Sequence, residues 1–216
     1  ADCMQIIKQR KSNSDRSAQM RARLVASARD LFVKNGYAET STPLLVSTAG
    51  VTRGALYHHF PDKQAIFRAV VDAEAAAVAL AIETEDDPSL SARERLFSGA
   101  SAYMRAMQVA GRVRLLLIEG PAVLGLAEMR EIEARHGDET LRIGLEEAIA
   151  ESATIKLPIL PLTSLLSAMF ERAAMDVSDG ADETETLAVI QAVLRGVLTS
   201  GHGPLDATDK IRPRGD

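Results

Sequence analysis

An all-α fold is predicted from the composition of the chain and from the spacing of its apolar residues. Hydrophobic residues make up 46% of the 216 residues and aromatic residues only 4%, and the abundant alanine and leucine favour helices. Apolar residues recur three and four positions apart, as they do on the buried face of a helix. We therefore expect an N-terminal three-helix helix-turn-helix domain, followed by a larger helical domain.

The helix-turn-helix is predicted between Ser41 and Lys63, where two short helical patterns meet at Ala49-Gly50-Val51. In the second helix four apolar residues share one face: Val51, Ala55, Leu56 and Phe60. The opposite face holds Thr52, Arg53, Gly54, Tyr57 and His58. A short helix with a cationic, hydroxyl-bearing outer face is typical of the recognition helix that enters the major groove of DNA.

Capping residues place the ends of these helices. The first long helix should run from about Ser17 to Asn35 and end at Gly36. Ser41 or Thr42 should cap the next helix. Thr52 is the expected N-cap of the recognition helix, and Asp62 that of a long fourth helix reaching about residue 84.

The chain resembles the DNA-binding domain of the tetracycline-repressor (TetR) family from about Arg16 to Val71. The shared residues stand at fixed spacing: Gly36-Tyr37, Thr40-Ser41, Ala49-Gly50-Val51, Thr52 to Phe60, and Lys63. Val46 and Pro43 depart from the family pattern. The resemblance implies a transcription regulator that binds double-stranded DNA as a homodimer on a palindromic operator. It also implies that a small apolar or amphipathic effector binds the larger domain and releases the DNA.

Roles can be assigned on the predicted DNA-reading face. Arg53 is expected to read a base, plausibly guanine, with phosphate contact as the alternative, and Tyr57 and His58 are expected to meet phosphates. Lys63 is expected to contact a phosphate as well. Neighbours on a helix point about 100° apart, so His58 and His59 do not predict a metal site. The candidate DNA-binding residues are Ser41, Thr42, Thr52, Arg53, Gly54, Ala55, Tyr57, His58 and Lys63.

Charge is divided along the chain in the way that DNA binding requires. Residues 1–70 hold 11 Lys/Arg and 5 Asp/Glu, whereas the rest of the chain holds 14 and 25. A cationic head can displace counterions from phosphates; two solvated surfaces of opposite sign are the alternative. The predicted division is a flexible basic tail at 1–15, the helix-turn-helix domain at 16–71, an effector-binding and dimerisation domain at 72–203, and a flexible tail at 204–216.

Several other classes of protein are not indicated. No run of about 18 apolar residues suggests a membrane span, and the first residues do not resemble a signal peptide. Cys3 is the only cysteine, so neither an internal disulfide nor a cysteine-based metal site is expected. Motifs of hydrolases and nucleotide-binding enzymes are missing from the sequence. We expect a cytoplasmic protein that is not an enzyme and holds no metal or cofactor.

Candidate effector contacts follow from the implied pocket: Tyr103, Met107, Leu117, Glu119, Met129, Met169 and Phe170. Ordinary core packing is the alternative for each of these residues. Glu119 follows the apolar run Leu115 to Ile118 and precedes Gly120-Pro121. Its carboxylate should either pair with an arginine (Arg112, Arg114 or Arg130) or line a cavity for a polar ligand group.

Two apolar helices at the end of the chain, about Leu162 to Val177 and Thr184 to Thr199, predict a dimer interface. Helix pairs of this kind commonly form a four-helix bundle with a symmetry mate, although both stripes could simply cover the core of their own domain. The candidate interface residues are Leu165, Met169, Ala173, Leu187, Ile190, Leu194 and Val197.

The predicted function is therefore that of a sequence-specific transcription regulator, a homodimeric repressor released from its operator by a small molecule. Two alternatives remain at this point. One is a DNA-binding regulator without an inducer, and the other is an enzyme that uses a pocket in the helical domain.

Overall fold

A computed structural model describes residues 13–152 and 157–199. The predicted tail at 204–216, Cys3 and most of the basic tail at 1–15 lie outside these ranges. Within them, all regular secondary structure is helical, as the sequence predicted. The helices are α1 (Asn13–Glu39), α2 (Thr42–Ala49), α3 (Arg53–His59), α4 (Lys63–Thr84), α5 (Ala92–Met107), a π-helical segment (Arg114–Glu119), α6 (Gly120–Leu124), α7 (Leu126–His136), α8 (Asp138–Ser152), α9 (Ile159–Ser178) and α10 (Glu183–Thr199).

The chain packs as two compact units. The head unit runs through Glu74 and also includes residues 110–129. The body unit consists of residues 75–109 together with the chain from Arg130 onward. The boundaries at 71 and 203 stay predictions, but the packing adds a second, separate stretch of sequence to the head.

The core of the head is built around aromatic residues. Phe67 of α4 is fully buried and meets Phe32 of α1 edge to face, with the ring centroids 5.0 Å apart. Its ring centroid also lies 4.9 Å from that of Tyr37. Further buried apolar residues between α1 and α4 belong to this core: Leu24, Leu31, Leu45, Leu56, Phe60, Ile66, Val70 and Val71. The three-helix domain thus has a hydrophobic core of its own.

The body core is a bundle of α5, α8, α9 and α10. Small residues of α5 alternate with larger ones, so that the other helices can approach closely. The buried residues are Ala92, Leu96, Ala100 and Met104 of α5, Leu145 and Ala148 of α8, Leu166, Phe170 and Ala173 of α9, and Ile190, Leu194 and Leu198 of α10.

Glycine and proline shape two further places in the chain. Between α6 and α7 the backbone is not helical at Gly125, whose φ is 83° and ψ 160°. Pro161 lies in the first turn of α9, which begins at Ile159. Proline is tolerated there because the first turn of a helix has no internal partner for its N–H groups.

Candidate DNA-binding surface

The α2–turn–α3 segment is fixed by its capping residues. Ser41 is the N-cap of α2 and accepts a hydrogen bond from the Leu44 N–H at 3.4 Å. Gly50 ends α2 in the left-handed conformation, with φ 62° and ψ 39°, which glycine adopts without steric cost. Thr52 Oγ1 then accepts from the Ala55 N–H at 3.1 Å and begins α3. The expected caps of both helices are therefore present.

Helix α3 has one buried and one exposed face. Leu56 and Phe60 are buried, and Ala55 and His59 are half-buried. The predicted reading residues are all exposed: Thr52, Arg53, Gly54, Tyr57 and His58. In α2 and its cap, Ser41 is exposed and Thr42 is half-buried. The structure thus brings the predicted residues of α3 together on a single open surface.

Two features of this surface suit contact with a duplex. The Arg53 guanidinium lies over the Tyr57 ring, 5.4 Å from its centroid, a cation–π contact between two side chains of the exposed face. A Cβ on Gly54 would meet only Thr52 Oγ1, at 4.0 Å. No atom of the described chain therefore requires glycine at position 54, and its small size leaves the backbone open to close approach.

Lys63, at the start of α4, is turned toward α1. Its Nζ donates to the Tyr37 carbonyl at 2.9 Å and lies 4.2 Å from the centroid of the Tyr37 ring. The phosphate contact stays a prediction for this residue. What the structure shows is that Lys63 links α4 to the end of α1.

The end of α1 is a tightly bonded turn, which we call the Gly36 joint (residues 36–40). Gly36 has φ 81° and ψ 168°, a region of the backbone map that is essentially limited to glycine. The buried Thr40 hydroxyl donates to the Gly36 carbonyl at 2.7 Å. The Tyr37 N–H donates to Glu119 Oε2 at 3.1 Å. The joint leads directly into α2, so it sets the direction of the helix-turn-helix.

Glu119 is paired with Arg114, one of the three arginines that the sequence suggested as partners. Arg114 Nη2 lies 2.8 Å from Glu119 Oε1, while the other carboxylate oxygen binds Tyr37. The pairing alternative is therefore the one that the structure shows. A contact between Glu119 and an effector stays a prediction.

A second carboxylate, Glu74, joins three parts of the head unit, and we call this group the Glu74 clamp (Arg29, Glu74 and Arg112). Arg29 Nε donates to Glu74 Oε1 at 2.6 Å, and Arg112 Nε donates to Oε2 at 2.8 Å. Burial alone would raise the pKa of Glu74, but hydrogen bonds from Arg29 and Arg112 outweigh it and lower the pKa. Arg29 also donates to the Ala110 carbonyl at 3.2 Å. The clamp ties α1, α4 and the residues before the π-helical segment together.

Sequence reasoning missed the clamp, although one local signal exists. Phe67, Val71, Glu74 and Val78 follow one another at helical spacing, and all four are buried. A single carboxylate in line with an apolar stripe indicates a buried ion pair. The partners Arg29 and Arg112 have no such signal.

Comparison with known proteins decides the family. A family model described as "Tetracyclin repressor-like, C-terminal domain" matches residues 93–201, about half of the chain, and one described as "Bacterial regulatory proteins, tetR family" matches residues 24–70. The chain belongs to the TetR family. It is a DNA-binding transcriptional regulator; the DNA contacts of α3 in this TetR-family protein stay a prediction.

Relatives of this TetR-family regulator match either most of the chain or about a third of it. The transposon Tn10 TetC protein of Escherichia coli is 27% identical over 82% of this chain and 89% of its own length. The transcriptional repressor AcnR of Corynebacterium diphtheriae is 37% identical over 32% of this chain and 35% of its own. The crystal structure of a TetR-family regulator from Pectobacterium atrosepticum has a TM-score of 0.67 and 29% identity, covering 86% of this chain and 94% of that one.

The predicted effector contacts of this TetR-family chain are divided between the two units. Leu117, Glu119 and Met129 belong to the head unit, whereas Tyr103, Met107, Met169 and Phe170 belong to the body unit. In the body, Tyr103 and Phe170 are in edge-to-face contact at 5.6 Å. Burial raises the pKa of the Tyr103 phenol, and the negative charges of Glu171 and Glu133 raise it further. The effector role of all seven residues stays a prediction.

Three residues of the predicted dimer surface, Ala173, Ile190 and Leu194, are buried in the core of their own body unit. The dimer surface as a whole stays a prediction. Met169 and Leu187 pack partly against the same core, and Val197 is half-buried. Leu165, by contrast, is 71% exposed.

Neither a membrane-spanning helix nor a metal site is found in the described ranges. No helix there is long and apolar enough to cross a bilayer. Over the same residues, no cluster of three histidine, cysteine or acidic side chains could hold a metal ion.

Proposed function

We propose that this regulator is a homodimeric repressor, which binds a palindromic operator through Arg53, Tyr57 and neighbouring residues of α3. The observation that carries the proposal is the exposed, capped α3, with its cationic and aromatic side chains held together on one face. A two-fold dimer places two such helices one or more turns of DNA apart, which requires a two-fold symmetric site. Since bacterial operators lie in the cytoplasm, we place the protein there. We propose no enzymatic role for this protein.

Arg53→Ala is expected to weaken operator binding about ten- to a hundredfold, because a bidentate arginine–guanine contact supplies about 1–3 kcal/mol of discrimination. The operator is first obtained by selecting bound duplexes from a random pool, which also gives the half-site spacing. Affinity is then measured by fluorescence anisotropy at fixed salt. Arg142→Ala, which removes the same charge from α8 of the body, is the control. Equal operator affinity for wild type and Arg53→Ala would remove Arg53 from the proposed surface.

We propose a dimer surface on the outer faces of α9 and α10. Leu165 of α9 is exposed, as are four residues of α10 at helical spacing: Val189, Ala192, Val193 and Gly196. Val189 is 63% exposed, and Gly196 has no heavy atom within 4 Å of a built Cβ. Small residues in such a stripe allow a second helix pair to approach closely, as in a four-helix bundle.

The double variant Leu165→Glu, Val193→Glu is expected to weaken dimerisation at least about tenfold, since burying charges without partners in an interface is costly. Sedimentation equilibrium measures the effect, and circular dichroism checks that the helices remain. Leu90→Glu, an equivalent change at an exposed apolar residue in the loop before α5, should leave the dimer intact. A double variant that dimerises as tightly as wild type would place the interface elsewhere.

We further propose that a small apolar or amphipathic effector binds the body unit and releases the operator. Membership of the family supports this, and so does the desolvated Tyr103 beside Phe170. One solved neighbour of the same fold, the TetR-like regulator LfrR of Mycobacterium smegmatis, was crystallised in complex with proflavine; it is 18% identical to this chain, with a TM-score of 0.59 and coverage of 87% of this chain and 98% of that one. A screen of planar and amphipathic compounds for release of the operator duplex tests the proposal. A screen without any release would favour a regulator that has no inducer.

A further inference from the structure

The Tyr37 N–H is the backbone group at which the head unit depends on a distant part of the sequence. In a continuous helix this N–H would donate to the carbonyl four residues earlier. The conformation of Gly36, with φ 81° and ψ 168°, turns the chain away from that partner. A backbone donor withdrawn from water needs another acceptor. Glu119, 82 residues later, provides it at 3.1 Å.

The local structure around Glu119 holds its carboxylate at the joint. Pro121 has no N–H with which to continue an α-helical pattern, and the Gly120 N–H instead donates to Leu115 O in a π-helical turn. A Cβ on Gly120 would lie 2.8 Å from that carbonyl oxygen and 3.0 Å from Met129 Sδ, so this turn requires glycine. Short π-helical turns inside helices are frequent at functional sites. Here the turn ends in Glu119, the residue that bonds to the Gly36 joint.

Glu119 and Arg114 pack directly against Gly36 in the joint. A Cβ built on Gly36 would overlap Arg114 Nη2 and lie 2.8 Å from Glu119 Oε1. The Arg114–Glu119 pair thus occupies the space that a side chain at Gly36 would fill. The Tyr37 carbonyl accepts from Lys63 at the same time, so both backbone polar groups of Tyr37 are bonded to side chains of other elements.

We propose that Glu119 is a positioning residue for DNA recognition. By accepting the Tyr37 N–H, it fixes the direction in which the chain leaves α1 for α2 and α3. Without this bond the joint has a free donor and the recognition helix loses one of its fixed supports. The proposal rests on the operator binding proposed above, but it concerns a residue outside the DNA-reading face.

The two test variants, Glu119→Met and Glu119→Gln, are matched in side-chain length. Both keep the length of the side chain, but only glutamine retains an oxygen that can accept from Tyr37. We expect Glu119→Met to bind the selected operator about tenfold more weakly than wild type, the loss typical of a hydrogen bond to a charged group. Glu119→Gln should recover most of that affinity. Glu128→Ala is the matched control, because Glu128 lies in the same stretch of sequence and pairs with Arg68, away from the joint.

Three measurements separate positioning from a general loss of structure. Operator affinity is compared with affinity for a non-specific duplex at the same salt, and only the operator affinity should fall in Glu119→Met. Equal falls on both duplexes, or no fall on either, would overturn the proposal. If wild type itself shows no preference for any duplex, the operator proposal fails, which is a different result. Amide exchange by NMR needs no variant: slow exchange of the Tyr37 N–H in the full-length wild type is expected, and fast exchange would overturn the assignment even if Glu119→Met does not fold.

Discussion

Glu74→Ala is expected to lower the free energy of unfolding by about 3–5 kcal/mol, the range found when one partner of a buried ion pair is removed. Glu74 is 6% exposed, and its two carboxylate oxygens hold Arg29 and Arg112. Without the carboxylate, the buried Arg112 would lose its ion pair with Glu74. Urea unfolding followed by circular dichroism, at one fixed protein concentration, measures the change.

The control for this variant is Glu146→Ala, which removes a carboxylate from an exposed ion pair with Arg142 one helical turn away. Pairs of that kind contribute about 0.3–0.5 kcal/mol. A loss of less than about 1 kcal/mol in Glu74→Ala would mean that the Glu74 clamp contributes no more than a surface pair.

The clamp also makes stability depend on pH in one direction. The folded pKa of Glu74 lies below its ordinary value of about 4.5, so the ionised form is stabilised by folding. Its contribution is complete above the unfolded pKa and is lost as the pH falls through the folded value. Glu74→Gln cannot titrate, and its stability should therefore fall less than that of wild type between about pH 5 and pH 2. Parallel curves for the two proteins would contradict this result.

Phe67→Ala should cost about 3–5 kcal/mol, because it removes a fully buried aromatic side chain and leaves a cavity. Of the two rings it contacts, Phe32 precedes the Gly36 joint in the sequence and Tyr37 belongs to it. Phe67→Leu fills much of the space and should cost clearly less. Thermal unfolding measures both variants. Near-ultraviolet circular dichroism reports on the packing of the tyrosines, because the chain has three tyrosines and no tryptophan.

The position of the cavity predicts a second effect of Phe67→Ala. Under conditions where the variant remains folded, the loosened joint should weaken operator binding more than Leu145→Ala does, although Leu145 is equally buried in the body core. Equal effects of the two variants on operator binding would show that the aromatic cluster stabilises the fold without positioning α3.

The head was predictable from sequence where its structure depends on neighbours in the chain. The buried and exposed faces of α3 follow from helical periodicity, and the caps Ser41, Thr52 and Asp62 follow from side chains that bond to N–H groups three residues away. Gly36 was predicted to end α1, and it does break the helix there.

The remaining parts of the site depend on residues far apart in the chain. Arg29, Glu74 and Arg112 span more than 80 positions, and no local pattern pairs them. The dimer surface could not be chosen from periodicity, because α10 is apolar on more than one side. Ile190 and Leu194 face the core, while the adjacent Val189 and Val193 are exposed. Which side meets the core is decided by packing against α5, α8 and α9.

The discontinuous make-up of the head limits how it can be exchanged between regulators. A chimera that joined residues 1–74 to the effector domain of another repressor would take Glu74 without Arg112 and Tyr37 without Glu119. Such a graft would transfer α3 without two of the bonds that hold α1 and α4 in place around it. The transferable module is residues 1–74 together with residues 110–129. A designer of hybrid repressors would have to take both segments from the same parent protein.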